Sequence, residues 1–477
     1  MWNSLTRRQV SIFLQLNGVP FRAAPHSLRY LTVASHVSCV ISDIANTNWI
    51  LAVCKFFLLM KITIVNNINS VIIEAHGAAK EWGTLKILLF CYIVLATTSN
   101  VSALDNGLAN TPPMGFNCWG SGRDVGPDIS AKAIMELADA FASTGLRDKG
   151  YKYLVIDDAW IGGRDAQTNL YPVAVRFPDG MKALTDYVHS KGMKIGIYES
   201  PARKTCYGLE GSFGHEQQDA NMFAAWGFDY LKYDWCHGAD QGETNAMTKM
   251  RDCLAKTGRP ILLHAVLYGQ QRWPGPIVNM WRVCPDATSG WLEFMKRYDI
   301  VINANLQAVH GPGHWTEGDT ITVGTVKEGG AMSDTEGRAQ FSLWCILAQP
   351  LMLWTDPRTA SPASLAIVGN TEAIAVDQDP LGIMGSKVKI DGDREILVKV
   401  LKDSTKAVVL LNRASSSTNM VVSWSDIGLD ANAQCSVRDL WQHEDKGIFK
   451  GSYSGNVEGH GCSSSKSNRC PPPAASQ

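Results

Sequence analysis

Between Thr111 and Pro357 short apolar runs alternate with longer segments of helical spacing, and this alternation restricts the fold more than any other feature of the chain. The strand candidates are residues 113–119, 151–156, 193–198, 228–233, 260–267, 278–283, 308–313 and 350–354, with helical candidates at 130–144, 181–190, 219–225, 244–256 and 336–347. A βα order implies a parallel sheet, and eight strands over this length predict a closed (β/α)8 TIM barrel. A doubly wound open sheet is the runner-up. It is weaker because no glycine-rich dinucleotide turn follows the first strand. After Gly382 the pattern changes to short alternating runs separated by turns such as Asp391-Gly392-Asp393 and Lys402-Asp403-Ser404, which predicts a second, antiparallel β-sandwich domain.

In a barrel of this kind the chemistry sits where the strands end. The run 228–233 delivers Asp234, the run 151–156 delivers Asp157 and Asp158, and the run 278–283 leads through Cys284 and Pro285 to Asp286. A single carboxylate there reads equally well as a cap for the next helix. Three strand ends at one rim, with Trp160, Trp235, Trp281 and Trp291 near them, concentrate negative charge in a way that calls for a ligand. A sugar suits the pattern: carboxylates and Lys or Arg hydrogen-bond hydroxyls, Trp stacks on the C–H face of the ring, and two carboxylates hydrolyse the acetal.

Other chemistries find little support. A formal charge of −1 and the lack of a basic stripe give nothing to attract nucleic acid or an acidic membrane. No His-Glu-x-x-His or comparable spacing occurs, so no metal is expected, and without a Walker or dinucleotide loop no cofactor is expected either. Residues 1–83 show no sustained period and are assigned no fold. An over-extended gene model accounts for them most simply, with a genuine long pre-region as the alternative. Lys86, the apolar run 87–96 and the small-residue pattern Val101-Ser102-Ala103 make 84–103 a secretory signal cleaved after Ala103, an uncleaved anchor being the other reading. The barrel is then expected over 104–382, the β-sandwich over 383–461 and a disordered tail over 462–477. Secretion permits disulfides, and the odd number of cysteines from Cys118 to Cys470 leaves at least one unpaired in a monomer. Medium, cell wall, vacuole or lysosome are all open as destinations, and no Asn-x-Ser/Thr site follows Ala103.

From Leu104 to about Gly461 the chain resembles the α-galactosidase and α-N-acetylgalactosaminidase family, the melibiases of glycoside hydrolase family 27. The resemblance rests on Thr111-Pro112-Pro113-Met114-Gly115-Phe116-Asn117, Ile156-Asp157-Asp158-Ala159-Trp160, Lys204-Thr205-Cys206, Gly211-Ser212-Phe213-Gly214, Asp229-Tyr230-Leu231-Lys232-Tyr233-Asp234, Gly311-Pro312-Gly313-His314-Trp315 and Asp377-Gln378-Asp379-Pro380-Leu381-Gly382. It implies a nucleophile at Asp234 and a general acid at Asp286 that first protonates the leaving oxygen and then activates water. Retention follows if the two carboxyls lie about 5–5.5 Å apart. It also implies that Asp157 and Asp158 hold the 4- and 6-hydroxyls, that Lys232 and Arg282 contact ring hydroxyls, that Tyr198 and Trp119 line the pocket, and that Cys206 and Cys236 form a disulfide. Lys232 and Arg282 would keep Asp234 ionised, while Asp286 would be protonated through burial or neighbouring charge.

The departures bear on specificity. The family's Cys-Glu-Trp or Cys-Ser-Trp loop after the fifth strand, which reads the 2-substituent, is here Leu263-His264-Ala265-Val266-Leu267-Tyr268. His264 reads as a donor to a 2-hydroxyl or, more often for a lone His, as a satisfied structural residue. Trp-Asn-Asp-Pro-Asp-Met is replaced by Trp315-Thr316-Glu317-Gly318-Asp319-Thr320, and the last apolar strand of the β-domain by Cys462-Ser463-Ser464-Ser465. The expectation is a secreted α-galactosidase acting on carbohydrates with terminal galactose, with oligomeric state unassigned. α-N-acetylgalactosaminidase and β-L-arabinopyranosidase remain alternatives, the paired Asp157 and Asp158 favouring a sugar with a 6-hydroxyl. A non-catalytic carbohydrate-binding protein is the alternative of another class, and it would have no physical need for both catalytic carboxylates.

Overall fold

The computed structural model describes the backbone of residues 12–15, 60–64 and 70–75, and then residues 104, 106–121, 129–236, 242–267 and 277–467. The secretory-signal segment lies outside the described residues. The first unit contains three short strands, Ile12–Gln15, Met60–Ile64 and Ser70–Ala75, in an antiparallel sheet with the last in the middle. No fold was expected there, because strands drawn from segments so far apart leave no periodic signature.

In the second unit the barrel strands are β1 (Met114–Asn117), β2 (Tyr153–Val155), β3 (Lys194–Glu199), β4 (Tyr230–Asp234), β5 (Leu262–Val266), β6 (Met280–Arg282), β7 (Trp315–Glu317) and β8 (Leu351–Leu353). They pair in parallel in the order β7-β6-β5-β4-β3-β2-β1-β8. Closure between β7 and β8 runs through Ile321, whose N–H donates to Met352 O at 2.8 Å and whose carbonyl accepts from Trp354 N at 2.9 Å. The seventh strand is therefore Trp315–Glu317 and not residues 308–313. Pro312 has no N–H to give a ladder and Gly313 adopts φ of 84°, so the Gly-Pro-Gly run turns instead of extending.

Successive residues of a strand face opposite sides, and the barrel uses both. Tyr153, Val155, Tyr230, Leu262, Met280, Trp315 and Met352 cluster inside it. Leu154, Leu231, Tyr233, Leu263 and Trp281 belong to the core shared with the helices. These helices are α1 (Ala131–Ser143), α2 (Gly180–Ser190), α3 (Glu216–Trp226), α4 (Glu243–Lys256), α5 (Trp291–Asn303), α6 (Asp334–Ile346), α7 (Pro362–Val368) and α8 (Thr371–Asp377). The chain enters α6 through a reciprocal cap between Ser333 and Glu336. From Ala339 to Ile346 every residue of α6 is buried, because the β-domain covers the face that other barrel helices give to water.

The β-domain holds β9 (Ser386–Asp391), β10 (Arg394–Val400), β11 (Lys406–Asn412), β12 (Thr418–Ser423), β13 (Gln434–Asp439), β14 (Glu444–Lys450), β15 (Ser452–Val457) and β16 (Gly461–Ser467). One antiparallel sheet runs β9-β10-β11-β16-β13-β14, and β12 pairs with β15 over a core of Ile396, Leu410, Met420, Val422 and Trp424. The tail expected to be disordered from residue 462 is instead, as far as Ser467, a central strand. β16 pairs with β11 along its whole length and with β13 at its end. Its serines give no hydrophobic signal, because the strand is held by main-chain ladders on both sides and small side chains fit beneath α6.

The two domains meet at a buried carboxylate. Glu395 of β10 accepts from Tyr298 of α5 at 2.6 Å, from Lys387 at 2.9 Å and from Arg413 at 3.0 Å, and Arg413 also grips Asp299 at 2.8 and 2.9 Å. Burial alone would raise the Glu395 pKa, but Tyr298, Lys387 and Arg413 together hold it below the ordinary value. Arg413→Ala is expected to cost about 2 kcal/mol by leaving Glu395 undercompensated. The measurement is the thermal midpoint against that of Arg394→Ala, whose ion pair with Asp391 is exposed; equal melting of the two variants would contradict the expectation.

Candidate active site

The site starts from β4, where Tyr230, Lys232 and Asp234 share the inner face and Leu231 and Tyr233 the outer one. Asp234 is 4% exposed. Its Oδ2 accepts a hydrogen bond from the Tyr198 hydroxyl at 3.1 Å and lies 3.6 Å from the Cys206 sulfur, while its Oδ1 has no hydrogen-bond partner among the described residues. Burial pushes the Asp234 pKa up; Lys232 and then Arg282 oppose this, Asp157 adds to it, and the Tyr198 hydroxyl favours the ionised form.

Two strands away, β2 ends in Asp157 and Asp158, both buried. Asp157 Oδ2 accepts from Lys232 Nζ at 2.7 Å, and the same ammonium lies 5.3 Å from the centre of the Tyr198 ring. Burial would lower the Lys232 pKa, but Asp157 and Asp234 outweigh it and raise it. Asp158 accepts from the N–H of Ala159 at 2.7 Å and of Tyr207 at 2.8 Å, and burial still leaves its pKa raised. Ala159 has φ of 75°, a left-handed conformation that costs an alanine roughly 1 kcal/mol and turns the chain sharply after the paired carboxylates.

At the end of β6, Arg282 donates to Asp286 at 2.5 Å and to Asp319 at 3.3 Å. For Asp286 burial or a neighbouring negative charge was expected. Its side chain is 68% exposed. Asp319 is the residue that strand-end reasoning passed over, because the seventh strand had been placed too early. It also accepts from Ala287 N at 2.6 Å; burial would raise its pKa, but Arg282, Arg297 and Lys232 hold it below the ordinary value. Lys327 is a second addition, its ammonium 3.9 Å from the Trp354 ring centre and 3.1 Å from the Trp119 carbonyl, and no strand-end rule could have found it.

Below these groups His264 is 4% exposed, with Nδ1 at 2.7 Å from the Tyr230 hydroxyl and Nε2 at 2.9 Å from Glu317 Oε2, a contact without hydrogen-bond geometry. Together with Asn117, Lys232, Arg282 and Thr320 these side chains border a cavity of about 10 Å³. Trp119 is half-buried at the rim and meets the exposed Tyr207 edge to face at 6.0 Å. Trp160, Trp281 and Trp291, read from the sequence as neighbours of a sugar, are packed into the core; Trp235 is half-buried. Of the stretch Leu263 to Tyr268, where the reader of the 2-substituent was sought, Tyr268 lies outside the described residues.

Cys206 and Cys236 are disulfide-bonded, with Cα atoms 5.1 Å apart, and tie the segment after β3 to the end of β4. Among the described residues they form with Asp234 a group whose potential ligand atoms lie within 4.8 Å of one another. While the two sulfurs are bonded together, neither offers a thiolate to a metal.

The raised pKa of Asp234 has a sign for stability. A carboxyl that binds its proton more tightly in the folded chain favours folding while protonated, and this contribution is lost as pH rises from the ordinary carboxyl range through the raised value. Asp234→Asn cannot ionise, so its thermal midpoint at neutral pH is expected to exceed that of the wild type by about 2–4 °C. The gain should shrink as the pH falls below the ordinary carboxyl value. Calorimetry across that range is the check, and a variant that melts below the wild type at neutral pH would contradict the burial cost.

Residues 111–379 match the family described as alpha galactosidase A, and residues 391–466 match the alpha galactosidase C-terminal beta sandwich domain. The α-galactosidase of Cyamopsis tetragonoloba is 40% identical over 363 residues, 75% of this chain and 86% of that one. The α-N-acetylgalactosaminidase of Mus musculus is 38% identical over 341 residues, 67% of this chain and 81% of that one. Among solved structures, α-galactosidase I from Mortierella vinacea has a TM-score of 0.71 at 31% identity, covering 76% of this chain and 98% of that one. Sequence, barrel and β-domain agree: the chain belongs to the α-galactosidase (melibiase) family and is an O-glycosyl hydrolase of the α-galactosidase type.

Proposed function

We propose that the protein releases terminal α-galactosyl groups by double displacement with retention of configuration. The observation that carries this reading is the Asp234 carboxylate, buried at a strand end with one oxygen unpartnered and with Lys232 and Arg282 favouring its charge. Asp234 attacks the anomeric carbon while Asp286 gives its proton to the departing oxygen. Asp286 then takes a proton from water as that water releases the sugar from Asp234. Asp286 is exposed in the free protein, where an arriving sugar reaches it directly. Asp157 and Asp158 hold the 4- and 6-hydroxyls, Lys232 and Arg282 bridge the ring to the nucleophile, and Tyr198 and Trp119 shape the walls.

A 2-acetamido sugar is the second reading, favoured by the likeness to the α-N-acetylgalactosaminidase of Mus musculus. The secretory signal would place the enzyme outside the cytosol; among the described residues no helix is long and apolar enough to cross a membrane.

The test is hydrolysis of p-nitrophenyl α-galactoside, α-N-acetylgalactosaminide and β-L-arabinopyranoside by residues 104–477. Cleavage of the first is expected, with a loss of about 10⁴-fold or more in Asp234→Asn. Asp286→Asn should lose about 10²–10⁴-fold on oligosaccharides and less on the aryl galactoside, whose leaving group needs little protonation. Proton NMR should show α-galactose as the first anomer released, and β-galactose first would overturn the double displacement. Preference for another glycoside would move the assignment to that sugar. No cleavage of any by a folded protein would favour a carbohydrate-binding role.

A further inference from the structure

We propose that reduction of the Cys206–Cys236 disulfide converts the rim of the active site into a Zn²⁺ site that captures Asp234 and stops the reaction. The inhibitory consequence rests on Asp234 being the nucleophile; the metal site does not. The argument begins with distance. The Cys206 sulfur stands 3.6 Å from Asp234 Oδ2. With Zn–S near 2.3 Å and Zn–O near 2.1 Å, a tetrahedral ion separates an S and an O ligand by about 3.6 Å and two S ligands by about 3.8 Å. The carboxylate and one sulfur are thus already spaced as two ligands. Only the second sulfur must withdraw, and breaking the S–S bond releases it.

The chemistry of opening is also provided for. Cys206 is exposed and Cys236 is 7% exposed, so an external dithiol meets the Cys206 sulfur first. Attack there forms a mixed disulfide and expels Cys236 as a thiolate, whose sulfur lies 3.8 Å from the Tyr198 hydroxyl. The second thiol of the reductant then closes its own disulfide, leaving two protein thiols. Zn²⁺ displaces their two protons and binds both thiolates and the Asp234 carboxylate, with the fourth position open to water from the exposed Cys206 side. Cys118, Cys253, Cys284, Cys345 and Cys462 belong to no such group among the described residues. A carboxylate whose lone pair is committed to zinc cannot attack an anomeric carbon.

The experiment compares the oxidised protein with protein reduced by a water-soluble phosphine, which takes the disulfide's two electrons to become the phosphine oxide and does not compete for metal as a dithiol would. Co²⁺ is the probe for binding, since its thiolate charge-transfer band is independent of activity, and p-nitrophenyl α-galactoside hydrolysis with and without Zn²⁺ is the second readout. Reduced wild type is expected to take up one Co²⁺ that the oxidised form does not, and to lose about tenfold or more of its activity to Zn²⁺, recovered by a chelator. Asp234→Asn should bind Co²⁺ more weakly by about tenfold or more, and the Cys206→Ser, Cys236→Ser double variant should show no thiolate band. No Co²⁺ uptake by reduced protein that keeps its near-ultraviolet circular dichroism would overturn the site, as would undiminished uptake by the double variant. Loss of that dichroism on reduction alone would equally overturn the switch. Uptake of one Co²⁺ with unchanged hydrolysis would leave the metal site standing and remove Asp234 from the nucleophile's role.

Discussion

Holding the Asp234 carboxylate out of water is the constraint on which the upper half of the barrel depends. An uncompensated ion at that depth costs several kcal/mol, so cations must stand close to it, and each cation in turn needs acids of its own. Lys232 is shared between Asp234 and Asp157, and Arg282 between Asp286 and Asp319. The result is a lattice of alternating charge spanning four strands and the turns after them. Tyr198 joins its parts from the strand in between, with its ring beside the Lys232 ammonium and its hydroxyl on Asp234. Burial favours the neutral form of Asp234 and Lys232 and Arg282 the charged one, while its Oδ1 stays without a hydrogen-bond partner among the described residues.

The lattice needs a stiff mounting. Below it the barrel is filled with Tyr153, Val155, Leu262, Met280, Trp315 and Met352, a packed layer that supports the charged groups from beneath. The His264 and Glu317 pair, bonded on to Tyr230, is the polar seam between that layer and the site. From the outside, the β-domain clamps α6 and α5 through β16 and the Glu395 cluster. Disturbance of the domain contact therefore reaches β7 and the turn carrying Asp319 through α6, whose Trp344 donates to the Asp319 carbonyl.

Much of this was legible in the chain. Period-2 apolar runs ending in carboxylates were enough to place Asp157, Asp158 and Asp234 on strand ends, because a strand's length and its last apolar residue are local properties. Where the local signal failed, the reason is physical in each case. Gly311-Pro312-Gly313 is flanked by residues apolar enough to resemble a strand, yet its backbone cannot make a ladder. Cys462 to Ser467 is too polar to resemble a core strand, yet its backbone is paired on both sides. Trp160 and Trp281 stand close to the strand-end carboxylates in sequence, yet both pack into the core shared with the helices.

By itself the sequence determined the barrel, the attached β-domain, the family and the identity of the acids at three strand ends, since all of these are written in spacing and residue type. Only the tertiary structure decided the state of those acids. Asp234 is buried and Asp286 exposed, Asp319 joins them through Arg282, His264 stands against Glu317, and a disulfide rests against Asp234. Solvation and charge depend on what surrounds a group on every side, and most of those neighbours come from strands and loops distant in the chain.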